Sequence, residues 1–194
     1  MGRNVTARLR RKRDIVVGLA ILSLALLIIA KLENEQALRF VGPFFAVDGD
    51  TLATAGERLR IEGIDAPELG QSCETLDGSP YACGVEARRM LATLVENGGW
   101  ECSGTQRDRH DRLLVVCRRG PDDLGEALVA QGYAVAEGRY LVAEAKAREA
   151  GEGIWTGHFE RPSDWRRLRR VEVAEPLAWV QALVPQWISR WFEE

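Results

Sequence analysis

Beyond residue 37 the spacing of apolar positions switches between two periods. Across Arg58–Ile64, Leu59, Ile61 and Gly63 alternate with Arg58, Arg60 and Glu62, the period of two expected of a half-buried strand. Leu38–Val47 and Thr51–Thr54 read as two strands before it, joined through Asp48-Gly49 and Ala55-Gly56-Glu57 turns. After a loop carrying Pro67, the spacing predicts a helix over Val85–Glu96, ended by Asn97-Gly98-Gly99. Trp100–Ser103 and Leu113–Arg118 read as two further strands. Asp122 or Asp123 caps a helix that runs to Gln131 and stops at Gly132, and Tyr140–Ala150 forms a third helix stopped by Gly151. This order predicts an α+β domain: a five-stranded Greek-key β-barrel of the OB type with about three helices.

The two ends follow a different pattern. Ile15–Ala30 is a run of 16 residues without a charge. At ~1.5 Å per residue it gives ~24 Å of helix, extended by Leu32 and by a snorkelling Lys31 toward the ~30 Å of a bilayer core. Six basic residues and no acid lie in residues 1–13, which places that flank in the cytoplasm and the rest of the chain on the far side. The run is expected to be a retained signal anchor; a cleaved signal peptide is the alternative, but Ile28 and Ala30 suit a signal peptidase poorly. At the other end, residues 161–170 hold five arginines and Trp165. Val180, Leu183, Val184, Trp187, Ile188, Trp191 and Phe192 then form a helical stripe interrupted by Pro185. Packing or self-association through this tail stands beside a membrane-surface contact. The expected organisation is therefore residues 1–14 as a basic cytoplasmic N-terminus, 15–32 as a transmembrane helix, 33–37 as a linker, 38–165 as the barrel domain and 166–194 as a basic, amphipathic helical tail.

Composition narrows the class. The chain has 194 residues, 46% hydrophobic and 28% charged, with a net charge of −3. That excludes a disordered chain, a collagen and a polytopic membrane protein. It also excludes an overall basic nucleic-acid coat, though not a local basic cleft. Cys73, Cys83, Cys102 and Cys117 match no zinc spacing. In an exported chain an even count favours disulfides. Cys73 and Cys83 bracket one loop, and Cys102 and Cys117 lie on adjacent strand-like runs, so the expected pairs are Cys73–Cys83 and Cys102–Cys117.

Three charged segments acquire meaning together. Val47-Asp48-Gly49-Asp50-Thr51 is by itself a hairpin turn, Arg60 to Glu68 a strand running into a Pro-bearing loop, and Arg107-Asp108-Arg109-His110-Asp111-Arg112 a solvated hairpin. If the first three strands form a meander, Asp50, Asp65 and Glu68 arrive at one end of the sheet. Three carboxylates at one place repel unless a cation or protons join them. Their hard oxygens suit Ca²⁺, with Mg²⁺ as the weaker choice. Arg60 and Arg112 bring two guanidiniums whose forks match phosphate oxygens. This inventory suits phosphodiester hydrolysis, in which negative charge builds on the equatorial oxygens of phosphorus.

With V-D-G-D-T at 47–51, R-I-E-G-I-D-A-P-E at 60–68, Arg112 in R-D-R-H-D-R-L-L, G-E-A-L-V-A-Q-G at 125–132 and E-A-K-A-R-E-A-G-E-G-I-W at 144–155, the chain resembles the staphylococcal nuclease family over about residues 38–165. The resemblance implies a Ca²⁺-dependent nuclease that acts on DNA and RNA and leaves 3′-phosphates. It implies Asp50 and Asp65 as metal-binding carboxylates, with the Ala66 backbone carbonyl as a further ligand. It implies Glu68 as the general base or water-orienting group, and Arg60 and Arg112 as the phosphate-binding pair. The family often has Tyr-Gly where this chain has His110-Asp111, and Asp111 adds a negative charge beside Arg112. After Gly132 only Tyr140 offers a ring for stacking on a base. A non-catalytic OB-fold module that binds nucleic acid or an envelope partner is the competing reading.

Overall fold

The computed structural model describes residues 15–29, 31 and 37–169. A helix, α1, covers residues 15–29. The sheet strands are β1 (Leu38–Val41), β2 (Phe45–Ala46), β3 (Thr51–Thr54), β4 (Glu57–Ile61), β8 (Glu101–Arg107), β9 (Leu113–Arg119) and β10 (Asp122–Asp123). Two short pairs lie outside that sheet: β5 (Ile64–Asp65) with β11 (Val135–Ala136), and β6 (Cys73–Glu74) with β7 (Pro80–Tyr81). The remaining helices are α2 (Cys83–Glu96), α3 (Leu124–Ala130), α4 (Leu141–Ala150) and α5 (residues 162–169), with a 3₁₀ turn at Gly153–Thr156.

The alternation in the third expected strand holds only as far as Ile61. Leu59 and Ile61 are buried, and Gly63, at φ +80°, reverses the chain before β5, a conformation that glycine adopts without penalty. The expected strand over Leu38–Val47 is likewise two strands, because Gly42-Pro43 interrupts it and proline has no N–H to give to a ladder. Strand order in the main sheet is β1-β8-β9-β4-β3-β2, with β10 on β9. β1 and β2 end the path without pairing to each other, so the sheet is a curled, open half-barrel rather than the closed five-stranded barrel expected. The β4–β9 pairing is parallel and the others are antiparallel.

Inside the curl sit Leu52, Leu59, Ile61, Leu113 and Val115 from the sheet, Leu91 from α2 and Leu124 and Leu128 from α3, each at most 1% exposed. Burying a side chain of this kind contributes ~1.5–3 kcal/mol. Trp100 closes one end, its indole N–H donating to the Leu94 carbonyl at 2.8 Å. Asp123, rather than Asp122, caps α3 by accepting from the Gly125 and Glu126 N–H groups at 3.0 and 3.2 Å.

Both expected disulfides are present. Cys102 and Cys117 are direct register partners on β8 and β9. Cys73–Cys83 ties the small β6–β7 hairpin to the start of α2.

The membrane span expected over residues 15–32 is not supported: no helix among the described residues is long and apolar enough to cross a membrane. The basic N-terminus (residues 1–14), most of the linker and the stripe over 180–192 lie outside the described residues.

Three contacts strap the end of the domain onto its middle. The buried Glu144 carboxylate accepts from the Ala136 N–H at 2.6 Å and from Arg161 at 2.9 Å. The buried Gln71 side chain donates to the Glu160 carbonyl at 2.7 Å and accepts from the Glu68 N–H at 3.3 Å. Glu74 and His158 exchange backbone bonds at 2.8 and 2.9 Å. The strap feeds directly into α5.

Gly84, on the first turn of α2, packs its bare Cα against this middle loop. A Cβ there would lie 1.8 Å from the Glu68 carbonyl oxygen, so backbone must move. Gly84→Ala is expected to destabilise the chain by roughly 2–4 kcal/mol, read as a lower urea midpoint at unchanged slope; a midpoint equal to that of the parent would show that the loop yields freely.

Candidate active site

Register brings the charged residues together. β3 and β4 pair Thr51 with Arg60, and β4 and β9 pair Arg60 with Leu114. Asp50, just before β3, therefore lies beside Arg60, and Arg112, just before β9, enters from the neighbouring strand. β11 pairs Val135 with Asp65, and the Glu137 N–H donates to the Gly63 carbonyl at 2.9 Å. This turns Asp65 and Glu137 toward the same guanidinium.

Arg60 sits at the centre. Its Nη1 donates to Asp50 Oδ2 at 2.8 Å, and its Nη2 reaches Asp65 Oδ1 at 3.4 Å, the Ile64 carbonyl at 3.3 Å and Glu137 Oε2 at 3.8 Å. Asp50 and Asp65 are 4% and 3% exposed. Burial pushes the Asp50 carboxyl up to about 7; Arg60 opposes that, Asp48 reinforces it, and the Ala66 N–H and Thr51 hydroxyl oppose it further. Burial also works to lower the Arg60 pKa, but the Asp50 and Asp65 carboxylates outweigh it and the net shift is upward.

Arg112 is held separately. Its Nε and Nη2 both donate to Asp108 Oδ2, at 2.9 and 2.7 Å, and its Nη1 donates to Thr51 Oγ1 at 3.1 Å. Burial alone would raise the Asp108 carboxyl, yet the hydrogen bonds from Arg112 and from the backbone of Arg112 and His110 hold it down at about 2. Asp111, at φ +61°, is highly exposed and faces Arg107 at 3.7 Å. Its charge is directed to that neighbour. His110 is exposed, and its Nε2 accepts from Arg109 Nε at 3.0 Å.

Asp50, Arg60, Asp108, Arg112 and Glu137 border one open cleft of about 720 Å³ together with Ala66 and Glu68; Asp65 does not line it but is joined to it through Arg60. A further arginine lines it from α5. Arg166 donates from Nη1 to Asp65 Oδ1 at 2.9 Å and to Glu68 Oε1 at 2.8 Å, and from Nη2 to Asp65 Oδ2 at 2.9 Å. The hydrogen bond to Asp65 is the main reason its guanidinium pKa is raised.

The structure thus brings Asp50, Asp65, Ala66, Glu68, Arg60 and Arg112 to one cleft, but not as three carboxylates around a shared gap. Guanidiniums are interleaved between them. Among the described residues no three acidic, histidine or cysteine side chains stand together as a ready cage for a metal ion. The donor chemistry nevertheless suits a hard cation, since Asp50, Asp65 and the Ala66 carbonyl all offer oxygen.

Tyr140, expected as the ring for stacking on a base, does not line this cleft. It takes a left-handed conformation at the start of α4, and its phenol donates to Asp123 Oδ1 at 2.8 Å. Burial first, and then the Asp123 carboxylate, push its hydroxyl up to about 12. Arg166, Asp108, Glu137 and Gln71 were not singled out from the sequence. Only Asp108 had a local cue, lying four residues before Arg112 in a tight charged turn; the others depend on contacts between distant segments.

Residues 58–157, more than half of the chain, match the family described as staphylococcal nuclease homologue. The chain is 35% identical over 127 residues to the succinoglycan biosynthesis protein ExoI of Rhizobium meliloti (strain 1021), covering 62% of this chain and 66% of that protein. It is 32% identical over 149 residues to the probable endonuclease LCL3 of Podospora anserina, covering 60% and 52%, respectively. A probable endonuclease lcl3 of Pyrenophora tritici-repentis is 28% identical over 113 residues, or 50% and 40%. The chain therefore spans between about two fifths and two thirds of the length of these relatives.

The Asp50 shift has a thermodynamic sign. The folded chain keeps a proton on Asp50 up to about 7, whereas the unfolded chain releases it near 3.8. In chelator, stability is expected to fall as pH rises through that window, because there the folded state binds more protons than the unfolded one. Asp50→Asn should flatten the slope and exceed the parent by on the order of 1–3 kcal/mol at pH 8, measured by urea denaturation across pH; equal slopes would contradict the buried, under-compensated state of Asp50.

Proposed function

We propose that the chain, which belongs to the staphylococcal nuclease family, is a phosphodiesterase that cleaves DNA, RNA or both. The observation that carries this reading is a single guanidinium, Arg60, joined to two buried carboxylates, Asp50 and Asp65, in a cleft also lined by Glu68 and Arg112. A site that only bound phosphate would gain nothing from burying acids in its floor, since they repel the ligand.

Asp50, Asp65 and the Ala66 carbonyl would hold Ca²⁺, with Mg²⁺ as a weaker occupant, and the cation would supply fixed positive charge to the phosphate oxygens. Glu68 orients the attacking water and takes its proton. Arg60 and Arg112 stabilise the charge that builds on the equatorial oxygens as water adds to phosphorus. Asp108 and Thr51 fix the plane of the Arg112 fork, so its remaining N–H groups are pre-aimed. The bond between phosphorus and the 5′ oxygen breaks with its electron pair on that oxygen, which takes a proton from solvent in the open cleft, and a 3′-phosphate is left. The two disulfides favour action outside the cytoplasm, where such bonds persist. The endonuclease names of the fungal relatives agree with this reading.

The test is cleavage of fluorescent single-stranded DNA and RNA by the full chain in Ca²⁺, in Mg²⁺ and in chelator. Glu68→Gln and Arg112→Ala should each lower kcat/KM by roughly 10²–10³-fold while the thermal transition is retained. Undiminished cleavage in both variants would refute their roles. A folded chain that cleaves nothing under any of these conditions would point instead to a nucleic-acid-binding module without chemistry.

A further inference from the structure

The proposed reaction makes no use of the guanidinium that α5 inserts between Asp65 and Glu68 in the cleft. Both Asp65 oxygens accept from Arg166, at 2.9 Å each, and Glu68 Oε1 accepts from it at 2.8 Å. This is not a stray surface side chain. Its helix is delivered by the Gln71–Glu160 and Arg161–Glu144 bonds, and Trp165, the preceding residue, lies against Gly70 next to the same loop.

We propose that Arg166 is a resident counter-cation that competes with the divalent ion for Asp65, and so sets the ion concentration at which the site assembles. The inference rests on the metal-dependent reading given above and adds to it a residue that the metal must displace. An oxygen that coordinates Ca²⁺ does so at ~2.3–2.6 Å, and it cannot at the same time face a guanidinium in line with the same lone pair. Asp65 has both oxygens engaged by the Arg166 fork, and Oδ1 is also reached by Arg60. Arg166 is the more exposed of the two partners: its side chain is 28% exposed against 15% for Arg60. It can withdraw toward solvent, whereas Arg60 is fixed within the sheet. Withdrawal also frees Glu68, so loading of the cation and release of the water-orienting carboxylate become one event. Until then Arg166 neutralises acids that would otherwise repel one another in a nearly dry floor.

The measurement is calorimetric titration of the full chain with Ca²⁺, for the parent, Arg166→Gln and Arg166→Lys. Competition predicts that Arg166→Gln binds Ca²⁺ about tenfold or more tightly, since a charge-assisted, forked interaction no longer has to be broken. Arg166→Lys, a point charge without the fork, should fall between the two. The same proteins, melted in chelator and in Ca²⁺, should show a larger Ca²⁺-induced rise in Tm for Arg166→Gln than for the parent. Equal or weaker Ca²⁺ affinity in both variants, with the parent binding normally, overturns the competition and leaves the nuclease reading intact. Absence of Ca²⁺ binding in parent and variants alike overturns the competition together with the metal-dependent reading on which it rests.

Discussion

Negative charge buried without water has to be met by positive charge, and in this protein Arg166 supplies part of it at Asp65 while the rest centres on Arg60. Two aspartates that are nearly inaccessible share it. Taking such groups out of water costs several kcal/mol per ion unless the partners are close and well aimed. The sheet supplies the aim. A parallel pairing between β4 and β9 sets Arg60 beside the start of β9, and an antiparallel pairing between β3 and β4 sets it beside Asp50. Slipping either register by one residue would turn Arg60 to the opposite face, leaving Asp50 buried without its guanidinium and Asp65 with Arg166 alone. The geometry of the cleft and the integrity of the sheet are thus one problem. The Cys102–Cys117 bridge, between direct partners on β8 and β9, pins the register of the strand that carries Arg112.

A second layer of charges orients the first. Asp108 grips Arg112 through two of its nitrogens, and Arg166 grips Asp65 and Glu68. Each pair fixes a plane as well as a distance, which a lysine in the same place would not do. Acids and bases therefore alternate around the cleft rather than segregating. Through that alternation a chain of net charge −3 presents several arginines in one cleft without an overall basic surface.

What the sequence conveyed was mostly local. The alternation in Arg58–Ile61, the glycine stops after α3 and α4, the Asp-Gly turn before β3 and the adjacency of Cys102 and Cys117 are short-range signals, and each survives in the fold. The grouping of Asp50, Asp65 and Glu68 with Arg60 and Arg112 was legible because a meander of three strands leaves few places for those residues to go. Other features were not legible, for identifiable reasons. Whether a sheet closes depends on whether its two edge strands meet, and Gly42-Pro43 splits the first strand so that β1 and β2 finish at opposite edges. The hydrogen bond that holds the Tyr140 hydroxyl has no local signal, because its partner, Asp123, lies 17 residues earlier. Arg166 is separated from Asp65 by 101 residues, in a stretch whose composition reads as a solvated basic tail. No periodicity carries information across such a distance.

The strap that ends in α5 also separates the inherited unit from the folding unit. The family match runs over residues 58–157, yet the cleft takes Asp50 and Thr51 from before that interval and Arg166 from after it. A fragment trimmed to the family limits would keep Arg60 and Asp65 but lose the acid on one side and the base on the other. It would also leave the Gln71 amide without the Glu160 carbonyl and Glu144 without Arg161. The limits of the family match thus cut across the charge balance of the cleft, and the chain on either side completes it.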